Sequence, residues 1–218
     1  MAKRFDLLVF DWDGTLLDSA GAIVAAIQAA CRDLELPEPS DERARHVIGL
    51  GLGEALRHAI PELPEQRYPQ MVDRYRHHYL SRDQELRLFD GAAELVAELA
   101  DAGFALAVAT GKSRVGLDRA LKASGLGAYF QASRCADECF SKPHPQMLEE
   151  LMQEFAVVPE RTLMIGDTTH DLQMALNAGV ASLGVAYGAH PAAALDALAP
   201  LARLQKVEDL AAWLRTHA

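Results

Sequence analysis

One short motif puts two carboxylates where an extended segment gives way to a turn. Asp11 and Asp13 flank a single residue after a short apolar run, and Gly14 follows them. Because side chains alternate along an extended chain, the two carboxylates are expected to point the same way. Neighbouring anions are costly unless a cation or a shared proton relieves them, and Mg²⁺ prefers carboxylate oxygens. The motif therefore indicates a magnesium site, although Asp-Gly is also common in plain turns.

A second acidic motif, spanning residues 166–171, also follows an apolar run and begins a helical pattern. Asp167, at the end of the predicted strand, could complete a metal site. Asp171 lies one helical turn later and could orient a group beside the metal. Alternatively, Asp171 is only an acid at a helix N-terminus, where the helix dipole favours it.

Two further motifs could bind an anion. Thr110 and Gly111 offer a hydroxyl and free backbone N–H groups just before a predicted helix, as phosphate sites do. A nucleotide P-loop is disfavoured, because the required glycine is replaced by Leu106. Lys142, next to Pro143, could pair with a phosphate and offset the repulsion between carboxylates. Alone, it would pass for a solvated surface lysine.

The motifs lie beside alternating strand and helix patterns. Strands are predicted at the apolar runs Phe5–Phe10, Phe104–Ala109, Thr162–Ile165 and Val180–Ala186. Helical apolar faces lie between or after them, and such alternation predicts a doubly wound, Rossmann-like parallel sheet with helices on both faces. Ligands of these sheets bind outside the carboxyl ends of the strands, so the four motifs are expected to meet there.

Residues 19–87 break this alternation. They show helical periodicity, several prolines and no convincing strand. We therefore expect an α/β core made of residues 1–18 and 88–218, with an all-helical cap domain, residues 19–87, inserted after the first strand.

Composition narrows the partners. The chain has 218 residues and a formal net charge of -10, with no basic stripe of the kind that binds nucleic acid. No apolar stretch approaches the length of a membrane span. The sparse cysteines, Cys31, Cys135 and Cys139, do not suggest a disulfide framework, which favours a cytoplasmic location. A monomer and a dimer are equally compatible with the sequence.

The order and positions of the four motifs, from Asp11 to Asp171, resemble the haloacid dehalogenase superfamily. The helical insertion resembles the small helical cap of that superfamily, and Gly49-Leu50-Gly51 within it is similar to phosphoglycolate phosphatase-like members. The resemblance departs mildly at Trp12 and Ala109, where smaller aliphatic and hydroxyl residues are more usual. Neither change removes a functional group.

The resemblance implies a role for each acidic residue. Asp11 would attack phosphorus and carry the covalent intermediate, and Asp13 would protonate the leaving alcohol and then activate water. Mg²⁺ would be held by Asp11, the backbone carbonyl of Asp13 and Asp167, with Asp171 in support.

The same resemblance implies that Thr110, the N–H of Gly111 and Lys142 hold the phosphoryl oxygens. The function then expected is that of a magnesium-dependent phosphatase acting on a small phosphate ester, with 2-phosphoglycolate as the best guess. Asp13 favours phosphate esters, because dehalogenase relatives lack that acid and phosphonate-cleaving relatives carry Ala.

Several alternatives stay open. A phosphosugar mutase of the same superfamily would carry an Arg shortly after the residue that resembles Gly49, whereas the next Arg here is Arg57. A pyrophosphatase or nucleotide phosphatase would use the same motifs. A non-enzymatic binding module would share the fold without the activity.

Overall fold

The structure is a computed structural model that describes residues 3–218, apart from the side chain of Gln84. Within that range one six-stranded sheet has the order β3-β2-β1-β4-β5-β6, and every neighbouring pair of strands is parallel. The strands are β1 Leu7–Phe10, β2 Ala105–Thr110, β3 Ala132–Cys135, β4 Thr162–Gly166, β5 Ala181–Val185 and β6 Ala202–Leu204. The predicted doubly wound α/β fold is confirmed.

Ten α-helices accompany the strands in the described chain. They are α1 Ala20–Asp33, α2 Asp41–His46, α3 Leu52–Ala59, α4 Tyr68–Ser81, α5 Ala92–Asp101, α6 Arg114–Ser124, α7 Gln146–Phe155, α8 Thr169–Asn177, α9 Ala192–Asp196 and α10 Val207–His217. Short 3-10 turns lie at Glu65–Arg67, Asp83–Glu85, Leu126–Ala128 and Pro159–Arg161. No helix of residues 3–218 is long and apolar enough to cross a membrane.

The central strand β1 shows why the sheet is covered on both sides. Its side chains alternate between faces, as in any strand, and all four are buried. Leu8 and Phe10 pack in one apolar cluster with residues of α5 and α10. Leu7 and Val9 pack in another with residues of α7 and α8. This two-sided burial explains the uninterrupted apolar run that made the strand recognisable in sequence.

The strands at the two edges of the sheet, β3 and β6, were not predicted. Most of their residues are only half-buried, and both contain an arginine. Edge strands have one neighbour and commonly carry polar side chains. They therefore lack the apolar run that marks the central strands.

Helices α1–α4 form an apolar cluster of their own between β1 and α5. The chain enters and leaves this segment at one place, where two backbone stretches run antiparallel. Asp18 N donates to Arg87 O over 2.9 Å, and Phe89 N donates to Leu16 O over 2.9 Å. We call these bonds the backbone clasp. Leu17 and Leu88 form a bridge between them, so both connections to the sheet lie side by side.

Candidate active site

The predicted site residues gather at the carboxyl ends of three adjacent strands. Asp11 directly follows β1, Thr110 ends β2, and Asp167 directly follows β4. All three are completely buried. Since β1 lies between β2 and β4, three distant parts of the sequence become neighbours, as the motifs predicted.

Lys142 links two of the aspartates. It comes from the loop between β3 and α7, and its Nζ donates to Asp11 Oδ1 over 2.7 Å and to Asp171 Oδ1 over 2.6 Å. Its side chain is 0% exposed. Burial alone would lower the pKa of Lys142, but Asp11 and Asp171 together raise it above its usual value. The lysine is therefore a buried, permanently charged ammonium, and the surface interpretation of this residue is wrong.

Asp167 is held by short contacts on both carboxylate oxygens. Thr15 Oγ1 donates to its Oδ1 over 2.9 Å, and the backbone N of Ala189 donates to its Oδ2 over 2.7 Å. Two glycines leave the space it occupies, because a Cβ at Gly14 or Gly188 would lie 2.2 Å from Asp167 Oδ2. Its position is therefore fixed by hydrogen bonds and by the absence of neighbouring side chains.

Both carboxylate oxygens of Asp171 accept hydrogen bonds. Its Oδ1 accepts from Lys142, while its Oδ2 accepts from the backbone N of Thr168 over 3.0 Å and from Thr168 Oγ1 over 2.7 Å. Thr168 caps α8 in return, by accepting from Asp171 N. Asp171 is thus an acid at a helix N-terminus, as one interpretation of the sequence expected, and it forms a reciprocal capping box with Thr168. Its bond to Lys142 shows that it also orients that ammonium.

Ionising Asp11 and Asp167 in this buried site is costly unless a cation lies beside them. Burial raises the pKa of Asp11 to about 7, against the opposing charge of Lys142. Burial, together with Asp11 and Asp171, raises the pKa of Asp167 well above its usual value. Carboxylates that resist ionisation in this way are stabilised when a metal ion binds between them.

The donor set suits a divalent cation. One oxygen each of Asp11, Asp167 and Asp171 lie within 4.8 Å of one another. Asp11 Oδ2 is buried and has no hydrogen-bond partner anywhere in residues 3–218. Three carboxylates, Asp11, Asp167 and Asp171, lie around the single ammonium of Lys142. When all of them are ionised, the carboxylates exceed the ammonium by two charges, which one Mg²⁺ would balance.

The carboxylate of Asp13 lies apart from this group and faces other partners. Ser19 Oγ donates to Asp13 Oδ1 over 2.6 Å, and Lys112 Nζ lies 3.1 Å from Asp13 Oδ2. Lys112 Nζ also donates to the hydroxyl of Tyr79, on α4, over 2.9 Å. Asp13 is therefore connected through Lys112 to the helical segment.

Thr110 and Gly111 lie beneath the loop that joins α2 to α3. The backbone N of Lys112 donates to Thr110 Oγ1 over 3.2 Å. A Cβ at Gly111 would lie 2.6 Å from the carbonyl oxygens of Gly49 and Leu50. Only glycine fits at position 111 with this loop in place, which gives the glycine of the predicted anion cradle a steric reason.

A cavity of about 700 Å³ opens above Asp13, between the helical segment and the strand ends. Gly111, Lys112 and Ser113 line it on the side of the sheet. Ile23, Ile27, Val47, Ile48, Tyr75 and Tyr79 line it on the side of α1–α4. The cavity thus begins at Asp13, the second acid of the first motif, which forms part of its wall.

Three histidines join the helical segment to the sheet at the other end of the site. His46 ends α2, and its carbonyl oxygen lies 2.7 Å from His170 Nε2 and 3.1 Å from His190 Nε2. The rings of His46 and His190 stack with centroids 5.1 Å apart. The backbone N of Thr169 donates to His190 Nδ1 over 3.0 Å. His190 is buried, and its burial lowers its pKa to about 4.

Sequence reasoning missed several of these supporting residues. Thr15 and Ser19 hold Asp167 and Asp13, and Lys112 bridges Asp13 and Tyr79. Thr15 directly follows Gly14 of the first motif, so its position was the available signal. Ser19 precedes a helix and would ordinarily be assigned as its cap, yet its hydroxyl makes no capping bond. Nothing in sequence indicated the partners of Lys112.

Comparisons with known proteins agree with this geometry. The model of the haloacid dehalogenase-like hydrolase family matches residues 8–185. The protein named "Probable phosphatase IndB" of Dickeya dadantii (strain 3937) is 38% identical over 202 residues, covering 89% of this chain and 86% of that protein. A phosphoglycolate phosphatase of Vibrio vulnificus (strain CMCP6) is 32% identical over 195 residues, covering 85% and 86%.

A solved structure is similar along nearly its whole length. The crystal structure of a predicted phosphoglycolate phosphatase from Haemophilus somnus 129PT superposes with a TM-score of 0.86 at 26% identity, covering 96% of this chain and 98% of that one. This chain belongs to the haloacid dehalogenase-like hydrolase family. The resemblance seen in the four motifs is confirmed, and with it the expectation of an enzyme of the phosphatase type.

Proposed function

We propose that this protein is a magnesium-dependent phosphomonoesterase that forms an aspartyl-phosphate on Asp11. The observation that carries the proposal is the state of Asp11 itself. One of its oxygens is fixed by Lys142, and the other is buried without a partner at the strand ends. A carboxylate held on one side and bare on the other is prepared to bind an electrophile or a metal.

The reaction follows from the residues around Asp11. An Asp11 oxygen forms a bond to phosphorus while the bond from phosphorus to the alcohol oxygen breaks. Asp13, in its protonated form, gives its proton to that alcohol. In the second half, Asp13 takes a proton from water, whose oxygen displaces Asp11 and yields inorganic phosphate. Ser19 and Lys112 hold Asp13 in place for both steps.

The phosphoryl group needs positive partners as its charge shifts. Thr110, the N–H of Gly111 and the ammonium of Lys142 supply them in this proposal. Asp11, the backbone carbonyl of Asp13 and Asp167 would hold Mg²⁺, with Asp171 in support. When bound, Mg²⁺ would lower the cost of bringing a phosphate near several carboxylates.

We also propose that residues 19–87 act as a cap on a core made of residues 1–18 and 88–218. The backbone clasp lies at these limits, and helices α1–α4 share one apolar cluster. A cap of this kind would exclude bulk water from the acyl phosphate and contact the alcohol part of the substrate. The cytoplasmic location stays a prediction from sequence.

The substrate class is a small phosphate ester. The names of several relatives make 2-phosphoglycolate the first compound to test. The mutase, pyrophosphatase and nucleotide phosphatase alternatives have no observation in their favour. Turnover that required a sugar bisphosphate would support the mutase.

The test is phosphate release from a panel of phosphate esters, with and without Mg²⁺, by the natural protein and an Asp11→Asn variant. We expect metal-dependent release that Asp11→Asn lowers at least about a thousandfold, because the nucleophile is lost. Asp101→Asn, a change at an exposed aspartate at the end of α5, serves as the matched control and should keep full activity. Release unaffected by Asp11→Asn would refute the proposal. Trapping of labelled phosphate on the natural protein alone would support it further.

A further inference from the structure

The cavity above Asp13 is large for the alcohol part of 2-phosphoglycolate. Its volume of about 700 Å³ lies within the range of about 300–1,000 Å³ that encloses drug-sized ligands. Asp13, which would protonate the leaving alcohol, lines the cavity together with Gly111 and Lys112. The alcohol would therefore enter this space directly, and glycolate would leave most of it to water.

The cavity is present although the helical segment touches the sheet at several points. Gly51 N donates to Ser141 Oγ over 2.9 Å, and His46 O lies 2.7 Å from His170 Nε2. Tyr79 contacts Lys112 as well. The cavity thus lies between surfaces that contact each other, and it is partly open to solvent.

The walls of the cavity are mostly apolar. Isoleucine, valine, leucine and tyrosine side chains of the helical segment make up one side. Tyr75 and Tyr79 stack there with ring centroids 5.9 Å apart. Two large apolar residues that line the cavity are also exposed: Leu80 at 44% and Val115 at 75%. Exposed apolar side chains around a concave site commonly mark the surface that an apolar ligand covers.

Two of the three cations that line the cavity are already paired with carboxylates. Lys112 already contacts Asp13, and Arg119 Nε lies 2.8 Å from Asp83 Oδ2. The third, Arg76, is exposed to solvent. A carboxylate next to the transferred phosphate would have to compete with Asp13 for Lys112.

We propose that the preferred substrate is a phosphate monoester of an apolar primary alcohol that is at least as large as one aromatic ring. Such an ester is preferred over 2-phosphoglycolate. This inference rests on the proposed phosphatase function and names its substrate class. An aromatic or branched aliphatic group would pack against the tyrosine pair and the isoleucines, and release the water they now contact.

The experiment compares three esters of primary alcohols: ethyl phosphate, 2-phenylethyl phosphate and 2-phosphoglycolate. Leaving groups of this kind have similar basicity, so differences in kcat/KM mainly report binding of the alcohol. We expect 2-phenylethyl phosphate to exceed each of the others at least about tenfold in kcat/KM. Release must also require Mg²⁺ and Asp11.

Two glycine substitutions locate the effect. A Cβ at Gly53, in the first turn of α3, meets nothing within 4 Å, and Gly53 lines the cavity. Gly53→Phe should fill part of the space and lower the preference for 2-phenylethyl over ethyl phosphate about tenfold. Gly21, on α1, has the same open surroundings but does not line the cavity. Gly21→Phe should leave the preference unchanged.

The possible outcomes distinguish a failure of this inference about the substrate from a failure of the proposed phosphatase function. Metal- and Asp11-dependent release that favours 2-phosphoglycolate would overturn the inference and leave the phosphatase intact. An unchanged preference in Gly53→Phe would overturn it too. Absence of release from every ester would overturn both. Preference for the phenylethyl ester, lost in Gly53→Phe and kept in Gly21→Phe, would support it.

Discussion

The two sides of the active site are fixed to very different degrees. On the side of the sheet, Asp167 and Asp171 accept hydrogen bonds on both oxygens, and Lys142 is completely buried between two carboxylates. Two glycines lie so close to Asp167 that a Cβ at either of them would clash with its carboxylate. On the side of α1–α4, the cavity wall consists mainly of apolar side chains, and Gly53 has open space around it. The groups proposed to act on the phosphate are positioned by directional hydrogen bonds, while the wall proposed to meet the alcohol is defined by the shape of its side chains.

We expect the largest effect on stability at Lys142, which lies on the side of the sheet. Lys142→Met would leave Asp11 and Asp171 buried without their shared cation, and should lower the free energy of unfolding by about 3–5 kcal/mol. Urea denaturation measures the change. Lys122→Met, at an exposed lysine of α6, should stay within about 0.5 kcal/mol of the natural protein. Equal stability of the two variants would show that the buried ammonium is not what stabilises this side.

A single added methyl group tests the same side by steric means. Gly188→Ala would place a carbon 2.2 Å from Asp167 Oδ2 and 2.4 Å from its Cβ, so Asp167 or its backbone must move. We expect the Mg²⁺ concentration for half-maximal activity to rise about 10- to 100-fold, as it does when the support of a metal ligand is lost. Gly53→Ala should leave it unchanged. If the two variants respond alike, the proposed difference between the two sides fails.

The histidine contact between the two sides predicts a dependence on pH. The pKa of His190 is lowered to about 4, chiefly by burial and then by His170 and His46, while Asp171 opposes the shift. Between its unfolded pKa near 6.5 and about 4, the unfolded chain binds a proton that the folded chain does not. The contribution of His190 to stability should therefore fall as the pH drops, by about 1–2 kcal/mol between pH 7 and pH 5.

Urea denaturation at pH 5, 6 and 7 checks this prediction. The contribution of His190 should disappear in His190→Gln, whose free energy of unfolding should fall less steeply toward pH 5. His77→Gln, at an exposed histidine of α4, should keep the natural slope. An undiminished slope in His190→Gln would assign the acid sensitivity to other groups.

The smallest effect is expected where the cap wall makes a polar contact. Tyr79→Phe removes the hydroxyl that accepts from Lys112 but keeps the ring and the contact of Lys112 with Asp13. One neutral hydrogen-bond partner is lost, so kcat/KM should fall about two- to tenfold. Steady-state kinetics on the best ester measures it. A loss as large as that of Asp11→Asn would place Tyr79 among the groups that carry the chemistry.

A similar difference, between buried central strands and half-buried edge strands, explains which parts of the fold the sequence could predict. Central strands such as β1 and β4 are buried on both faces, so their apolar runs were visible, and the motifs that end them located Asp11 and Asp167. The edge strands β3 and β6 are short and half-buried, and gave no such run. Within the described chain each of them pairs with a single neighbour, so its other edge needs no partner strand and its sequence tolerates polar residues.

The contacts that support the acidic residues were harder to predict than the places of those residues at the strand ends. Lys112 meets Asp13 because β1 and β2 are neighbours in the sheet, and it meets Tyr79 because α4 lies beside it. Ser19 turns from its helix toward Asp13. Each contact joins residues whose types have many ordinary roles, and only the folded arrangement selects one. The cavity wall is likewise a product of how α1–α4 pack, which periodicity alone does not specify.

The backbone clasp between residues 16–18 and 87–89 has a consequence for how such proteins diversify. The chain leaves and rejoins the sheet at adjacent points. The segment between these points can therefore change in length without disturbing the register of the strands. Helices of another relative could be grafted at these two points without altering Asp11, Lys142 or Asp167. Under the proposed function, recombination at this place would exchange the residues that select the alcohol and leave the residues that handle the phosphate unchanged.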